Sequence, residues 1–466
     1  MSKDIPSRRN FIKKSAAISL GFFGLQSFIW KGCEDSSTEI IQTLNLPYGP
    51  LLPDPAGILN LPEKFSYRII SRVGDVMSDG LFLPGLPDGM AAFEGEGGKV
   101  IVVRNHECIS SDKGAFGENN ELLGKIPKEK VYDLGSPKVR CKGGTTTFVY
   151  DENTGEIEST WLSLAGTIRN CAGGKTPWGS WVTCEETFVG ESKNLQKKHG
   201  YNFEVPATSS PALAEPIPLK AMGRFNHEAI CVDPVTGIVY QTEDRNDSLI
   251  YRFIPNEKGN LRSGGKLQAL VIKSQKGKDT RNWTDDSMPI NQPMQVEWID
   301  IDNPNPEKDD LRYVYFDKGA ARFARGEGMW FGNGEVYFAC TSGGQKKWGQ
   351  VFRYIPSAYE GTEEEKNHPG SLELFLEPND KELLQACDNL TVAPWGDVVL
   401  CEDRARPKIV GVTPKGELYH IAENVGQPSE FAGGVFSPSG KTFFVNIQHA
   451  GLTIAITGPW QRVGDS

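Results

Sequence analysis

The chain has 466 residues, of which 51 are Gly and 30 Pro, with 10% aromatic; this turn-rich balance argues for β-structure and against a helical bundle. Its formal charge of −10 becomes −15 once residues 1–33, carrying six Lys/Arg and one Asp, are set aside. Such acidity excludes nucleic acid as an expected partner and suits cations, or a substrate that arrives with them.

The N-terminal residues Ser7-Arg8-Arg9-Asn10-Phe11-Ile12-Lys13-Lys14 form a twin-arginine pattern, and a modest apolar run from Ala16 to Trp30 follows. That run is short for a membrane span and has a basic flank, so 1–33 reads as a signal segment. It predicts export by the twin-arginine machinery, which carries folded proteins, and a periplasmic, membrane-anchored or secreted location. Cys33 closes the run and is a candidate lipid anchor, although Trp30 and Lys31 before it fit a lipidation site poorly; signal cleavage is the alternative. Nothing else is long and apolar enough to span a bilayer, so a lipid on Cys33 is the one expected link to a membrane. Residues 34–60 read as a linker or extension, and 61–466 as a single domain, expected to be monomeric.

From Gly98 onward one phrase recurs: a turn Gly, a short apolar strand, then a polar end. Pro177 to Glu186 reads PWGSWVTCEE and Pro394 to Asp403 reads PWGDVVLCED. Aligned on the Gly, weaker copies are KVIVVRNHE after Gly98, IVYQTED after Gly237, EVYFACT after Gly334 and KTFFVNIQH after Gly440. The sixth and seventh residues after Gly are Arg104–Asn105, Glu185–Glu186, Glu243–Asp244, Cys340–Thr341, Glu402–Asp403 and Asn446–Ile447. Second strands follow at 248–255, 349–356 and 408–414. Strand pairs recurring at intervals of tens of residues predict an all-β fold, a six-bladed β-propeller with long loop insertions. A double-sheet sandwich is the main alternative; the propeller is favoured because it points equivalent strand ends at one axis. Polar stretches at 108–135, 190–222 and 357–370 read as loops, and 380–387 is the best short helix.

Carboxylates cluster at the predicted strand ends: Glu107, Glu185, Glu186, Glu228, Glu243, Asp244, Glu327, Asp388, Glu402, Asp403 and Glu430. A single one is ordinarily a solvated loop acid. Brought to one axis they would repel without cations, and oxygen-rich sites of this kind suit calcium. Asn105, Asn170 and Asn389 can complete such spheres. Cys184, beside two carboxylates, is softer and suits a transition metal such as iron or zinc, with core packing as the plainer reading. His106 and His227 each precede Glu in an Asn-His-Glu context, either as ligands or as structural hydrogen-bonding groups. Arg325, two residues from Glu327, offers a fork of donors to a phosphate oxygen, or else forms a surface ion pair. CxxC, HExxH and GxSxG are absent, and no GK[ST] follows the glycines of 326–334, so zinc ribbons, zincins, α/β-hydrolases and P-loops are not supported. Nine Cys in an exported chain leave disulfides open, and spacing alone does not assign them.

In combination, NCAGGKTPWGSWVTCEE (170–186), GRFNHEA (223–229), Arg325–Glu327, CDNLTVAPWGDVVLCED (387–403) and EFAGGVFSPSGKTFFVNIQH (430–449) resemble the PhoX family of alkaline phosphatases. The resemblance covers most of the chain beyond the leader, and the leader fits it. It implies a six-bladed propeller holding two ferric ions (Fe3+) and calcium (Ca2+) at its axis, with phosphate monoesters as substrates. On that resemblance Cys184 matches the iron-binding Cys, and Glu228 and Glu327 match carboxylates near the iron pair. Glu185, Glu186, Glu243, Asp244, Asp388 and Glu430 fall at or beside the acidic metal positions. Arg325 matches the phosphate-contacting Arg of an Arg-Pro-Glu motif, which makes Arg325 and Glu327 the expected catalytic pair. This chain departs from the motif in having Gly326 for Pro, and it is shorter than typical members. The alternatives are a calcium-dependent lactonase or phosphotriesterase, and a secreted binding propeller in which calcium only fastens the blades.

Overall fold

The computed structural model describes residues 42, 44–285 and 287–460. The twin-arginine segment and Cys33 lie outside the described residues. Six antiparallel strand groups follow one another along the chain. Blade one is Pro87–Glu94, Lys99–His106, Gly143–Asp151 and Glu156–Thr167. Blade two is Asn170–Lys175, Ser180–Glu185 and Asn202–Pro206. Blade three is His227–Val232, Val239–Glu243, Tyr251–Pro255 and Gly265–Ile272, with Met294–Asp300 added at its edge. Blade four is Gly326–Gly332, Glu335–Cys340, Gln350–Ile355 and Ser371–Leu376. Blade five is Cys387–Val392, Val398–Glu402, Lys408–Val412 and Leu418–Asn424. Blade six is Phe431–Phe436, Thr442–Ile447 and Leu452–Thr457, completed by the early strand Ser66–Arg72.

The first strand of each blade packs on the first strand of the next, and that of blade six returns to blade one. This closed ring is a six-bladed β-propeller. Pairing of Ser66–Arg72 with Leu452–Thr457 ties the two ends of the chain into one blade. Six apolar clusters fill the spaces between successive blades. Phe203 and Trp181, for example, meet Ile101 and Val103 between blades one and two. Burial of each such side chain contributes about 1.5–3 kcal/mol, so the apolar strand residues of the repeated phrase serve as mortar between blades.

Three local expectations change. Residues of the presumed linker are woven into blade five: Leu44–Asn45 pairs with Leu418–Tyr419, and Asn60 pairs with Glu423. The polar stretch 190–222 contains the third strand of blade two. Residues 380–386 make a single turn on the carbonyl of Asp380, stopped where Ala386 takes a φ of 52° to enter Cys387–Val392. The α-helix of the described residues is instead Leu311–Asp317, and no helix among them is long and apolar enough to cross a membrane.

Candidate metal centre

The innermost strands share one irregularity. Each pairs normally at its first residue, loses register for two residues, and resumes: between Pro87 and Met90, His227 and Ile230, Gly326 and Met329, Cys387 and Leu390, and Ala432 and Val435. In blade two the shift lies opposite Thr183–Glu185. A bulge bends a strand and re-aims a side chain. Here the residues in the bulges are Asp88, Cys171, Glu228, Glu327, Asp388 and, in blade six, Gly433. Five of the six inner strands therefore present a ligand-type side chain at the same level of the axis. The inner strands also come close together at this level. A Cβ on Gly89 would lie 2.7 Å from Ala172 Cα, and one on Gly328 would lie 2.5 Å from Leu390 N.

The residue following each second strand supplies a further layer: Glu107, Glu186, Asp244, Thr341 and Asp403. Ligand atoms of four triads each fall within 4.8 Å of one another: Asp88–Glu107–Cys171, Cys171–Glu186–Glu228, Glu228–Glu327–Asp388 and Asp388–Asp403–Glu430. Shared members chain the triads into one belt. Cys171 Sγ donates to Glu228 Oε1 at 3.2 Å. Gln448 Nε2 donates to Asp88 Oδ2 at 2.5 Å and to Glu107 Oε2 at 3.0 Å. Arg169 bonds Glu107 at 2.7 Å and also Glu186. Arg325 bonds Asp244 at 2.8 Å and Glu327 at 2.7 Å.

Two guanidiniums do not offset this many carboxylates. Burial, together with neighbouring carboxylates, holds Asp88, Glu186, Glu228, Glu327 and Asp388 well above the ordinary carboxylate range, and Glu430 is pushed up to about 9. Asp88 Oδ1, Glu228 Oε2 and Asp388 Oδ1 are buried without a hydrogen-bond partner among the described residues. Orphaned carboxylate oxygens facing one another at an axis fit bound cations, which would take up those lone pairs and the like charge. The thiol of Cys171, shared by two of the triads, adds a softer donor suited to a transition metal.

Of the residues singled out from sequence, Glu186, Glu228, Glu327, Asp388 and Glu430 come together in the belt, with Asp244 and Arg325 alongside. Four others face elsewhere. Glu185 accepts from the backbone N–H of Ile168 and Gly200 and meets His199 Nδ1 at 2.6 Å. Glu243 accepts from Tyr251 Oη at 2.9 Å and is raised to about 7 by burial, against the pull of Arg312. Asn170 accepts from Thr167 at the end of blade one and donates to Thr183 of blade two. Cys184 is fully buried among Val182, Phe225, Ile230 and Leu249 between blades two and three. This corrects the expected thiol: alternation along Ser180–Glu185 turns Cys184 into the core, and the thiol on the belt is Cys171. Burial pushes both thiols well up, with the carboxylates Asp88 and Glu228 adding to the effect at Cys171 alone.

Asp88 and Cys171 lie on first strands, outside the repeated second-strand phrase, which therefore carries no signal for them. Alignment on the first strands carries the signal, since Gly89, Ala172, Ala229 and Gly328 all follow a ligand-type residue with a small one. The register of the first copy also moves by two. Lys99–His106 is longer than Ser180–Glu185, and Pro87 pairs with His106, so His106–Glu107 rather than Arg104–Asn105 is equivalent to Glu185–Glu186. His106 is bonded to Gly85 O and Thr146 Oγ1, and His227 to Gly223 O, so both histidines are structural. The eight described cysteines are free thiols.

Comparison with known proteins adds a family. The family model described as alkaline phosphatase PhoX matches residues 46–451. No curated protein matches the sequence. Among solved structures, the chain is similar to a gluconolactonase of Xanthomonas campestris at 11% identity, with 89% of this chain and 99% of that one covered and a TM-score of 0.34. A family AA12 carbohydrate-active enzyme of Trichoderma reesei matches at 9% identity over 86% and 98%, with a TM-score of 0.30. The β-propeller domain of Cps50 (Swd1) from Myceliophteria thermophila matches at 10% identity over 84% and 100%, with a TM-score of 0.41.

Proposed function

The chain belongs to the PhoX family of alkaline phosphatases, and on that premise we propose that it hydrolyses phosphate monoesters at the axial belt. The observation that carries this reading is the continuous run of buried and half-buried carboxylates, several with unsatisfied oxygens, that includes one thiol. In this reading Cys171, Glu186 and Glu228 would hold iron, while Asp88, Glu107, Asp388, Asp403 and Glu430 would hold calcium. Cations bound there would supply Lewis-acid stabilisation of the charge on a transferring phosphoryl group.

The protein's own groups do the positioning. Arg325 donates from both Nε and Nη2 to Asp244 and forms an ion pair with Glu327 at Nη2, with a third of its side chain exposed. A guanidinium so held presents its remaining donors to a non-bridging phosphate oxygen without further ordering. Glu327 thus orients Arg325 while its carboxylate stays in the belt. Glu185, Glu243 and Glu402 are structural, accepting from the backbone N–H groups of Gly200, Leu249 and Gln385. Export by the twin-arginine route, to act in the periplasm or at a membrane surface, belongs to the same proposal and rests on Arg8–Arg9 and the apolar run after them.

The test is an assay of the exported, metal-analysed protein on an aryl phosphate. Turnover with iron and calcium bound, and visible absorbance from a ferric–thiolate contact, is the expected result. A fully metallated protein that turns over neither monoesters nor diesters overturns the phosphatase reading. A colourless protein holding calcium alone overturns the iron assignment.

A further inference from the structure

The geometry points to Arg169 as a second phosphate-contacting side chain, paired with Arg325 across blade three; the inference rests on the phosphatase reading above. Both residues immediately precede an innermost strand, Arg169 before Asn170–Lys175 and Arg325 before Gly326–Gly332. Both lie in the left-handed region, with φ of 52° and 53°. Their carbonyls accept from equivalent amides, Glu186 N at 2.8 Å and Thr341 N at 3.1 Å. Leu86, Asn226 and Ala386 hold the same place in blades one, three and five, and their carbonyls accept from Glu107, Asp244 and Asp403. At this structural position, then, two blades carry Arg, and these are the two that flank Glu228.

A left-handed backbone is unfavourable for a non-glycine residue and persists only where the surroundings fix it. At position 169 it sends a long cationic side chain over the acidic mouth. The guanidinium meets Glu107 and Glu186 as that of Arg325 meets Asp244 and Glu327. Its side chain is 42% exposed, so it faces the approach to the belt and is not sealed beneath it. Both carboxylates are met through the one nitrogen Nη2, so Nη1 is not spent on them. Two planar donor forks carried by the blades that flank Glu228 match a tetrahedral dianion held by two of its oxygens. A lone structural ion pair would need neither the exposure nor the second, equivalent fork.

The experiment compares the full-length, metal-loaded wild type with R169M and R169K. It measures orthophosphate affinity by calorimetry, KM and kcat on an aryl phosphate, and iron and calcium content. R169M is expected to keep its metal and to bind orthophosphate about ten- to a hundredfold more weakly, as befits a lost charge-assisted hydrogen bond, with KM rising in parallel. R169K, which keeps the charge but not the fork, should fall between. Unchanged orthophosphate affinity and KM in metal-replete R169M overturn the role of Arg169 and leave the phosphatase reading standing. If R169M loses metal, R169K decides: weakened phosphate binding at full metal supports the inference, and wild-type binding reduces Arg169 to a counter-ion of the belt. A metallated wild type that neither binds orthophosphate nor turns over an ester overturns the phosphatase reading and this inference with it.

Discussion

Cys171 and Cys184 occupy neighbouring strands of blade two, yet one meets Glu228 at 3.2 Å and the other meets only apolar side chains. Their substitutions should therefore separate. Cys171→Ser is expected to lose iron and visible absorbance with little change in melting of the metal-free protein. Cys184→Ser should keep both and melt lower, since a hydroxyl in that cluster costs about 1–3 kcal/mol. Elemental analysis and thermal melts check the pair, and iron loss in Cys184→Ser alone would reverse the assignment. His199 offers a second residue-scale test. Burial alone would lower it, but Glu185 at Nδ1 and Asp133 toward Nε2 outweigh burial and push it up to about 11. A raised histidine stabilises the fold fully below its unfolded value near 6.5, and that stabilisation is lost as pH rises through 11. The gap in Tm between wild type and His199→Gln should be constant from pH 5 to 6 and narrow toward pH 10. A gap that widens with pH would mean that the buried ring is neutral.

At the scale of the strand, the bulged inner strand is the device that makes the site. It needs close contact between neighbours, and Gly328 is where that contact is tightest between blades four and five. Gly328→Ala should push Cys387–Val392 away, separate Glu327 from Asp388, cost about 1–3 kcal/mol as overpacking, and lower metal content. A variant with wild-type Tm and full metal would show that close packing does not set the belt. The strands themselves were legible because turn glycines and apolar runs are local signals. So was the convergence of Glu186, Glu228, Glu327 and Asp388, since a propeller sends equivalent ends to one axis. What stayed hidden was side-chain direction. A bulge inserts one residue and reverses the alternation, so Cys171 turned inward and Cys184 outward could not be separated by period-2 reasoning. Asn170, Glu185 and Glu243 read as ligands for the same cause: each ends or begins a strand at the right level, yet its side chain is taken up by neighbouring structural groups.

Over the whole molecule, closure and charge act against each other. Ser66–Arg72 zips onto Leu452–Thr457 and completes a ring in which six apolar clusters hold the blades together. That ring forces the carboxylates Asp88, Glu228, Glu327 and Asp388 to one axis, where they repel. Cations at the belt would relieve that repulsion in the folded ring and find no comparable site in the unfolded chain. Binding linkage then stabilises the fold by about 2.7 kcal/mol for each site held at a hundred times its Kd. At roughly 2.1 cal/mol/K per residue of unfolding entropy, that is a shift of about 3 °C per site in a propeller of this length. Dialysis against a chelator should thus lower Tm by several degrees, and added calcium should restore it in a concentration-dependent way. Asp388→Asn, which removes one charge from the centre of the belt, should reduce both the fall on chelation and the calcium-dependent recovery. Scanning calorimetry across a calcium titration reads both effects. A chelated protein that melts with the untreated one would mean that the ring tolerates its axial charge without cations, and that the belt is held by protonation and by Arg169 and Arg325 alone.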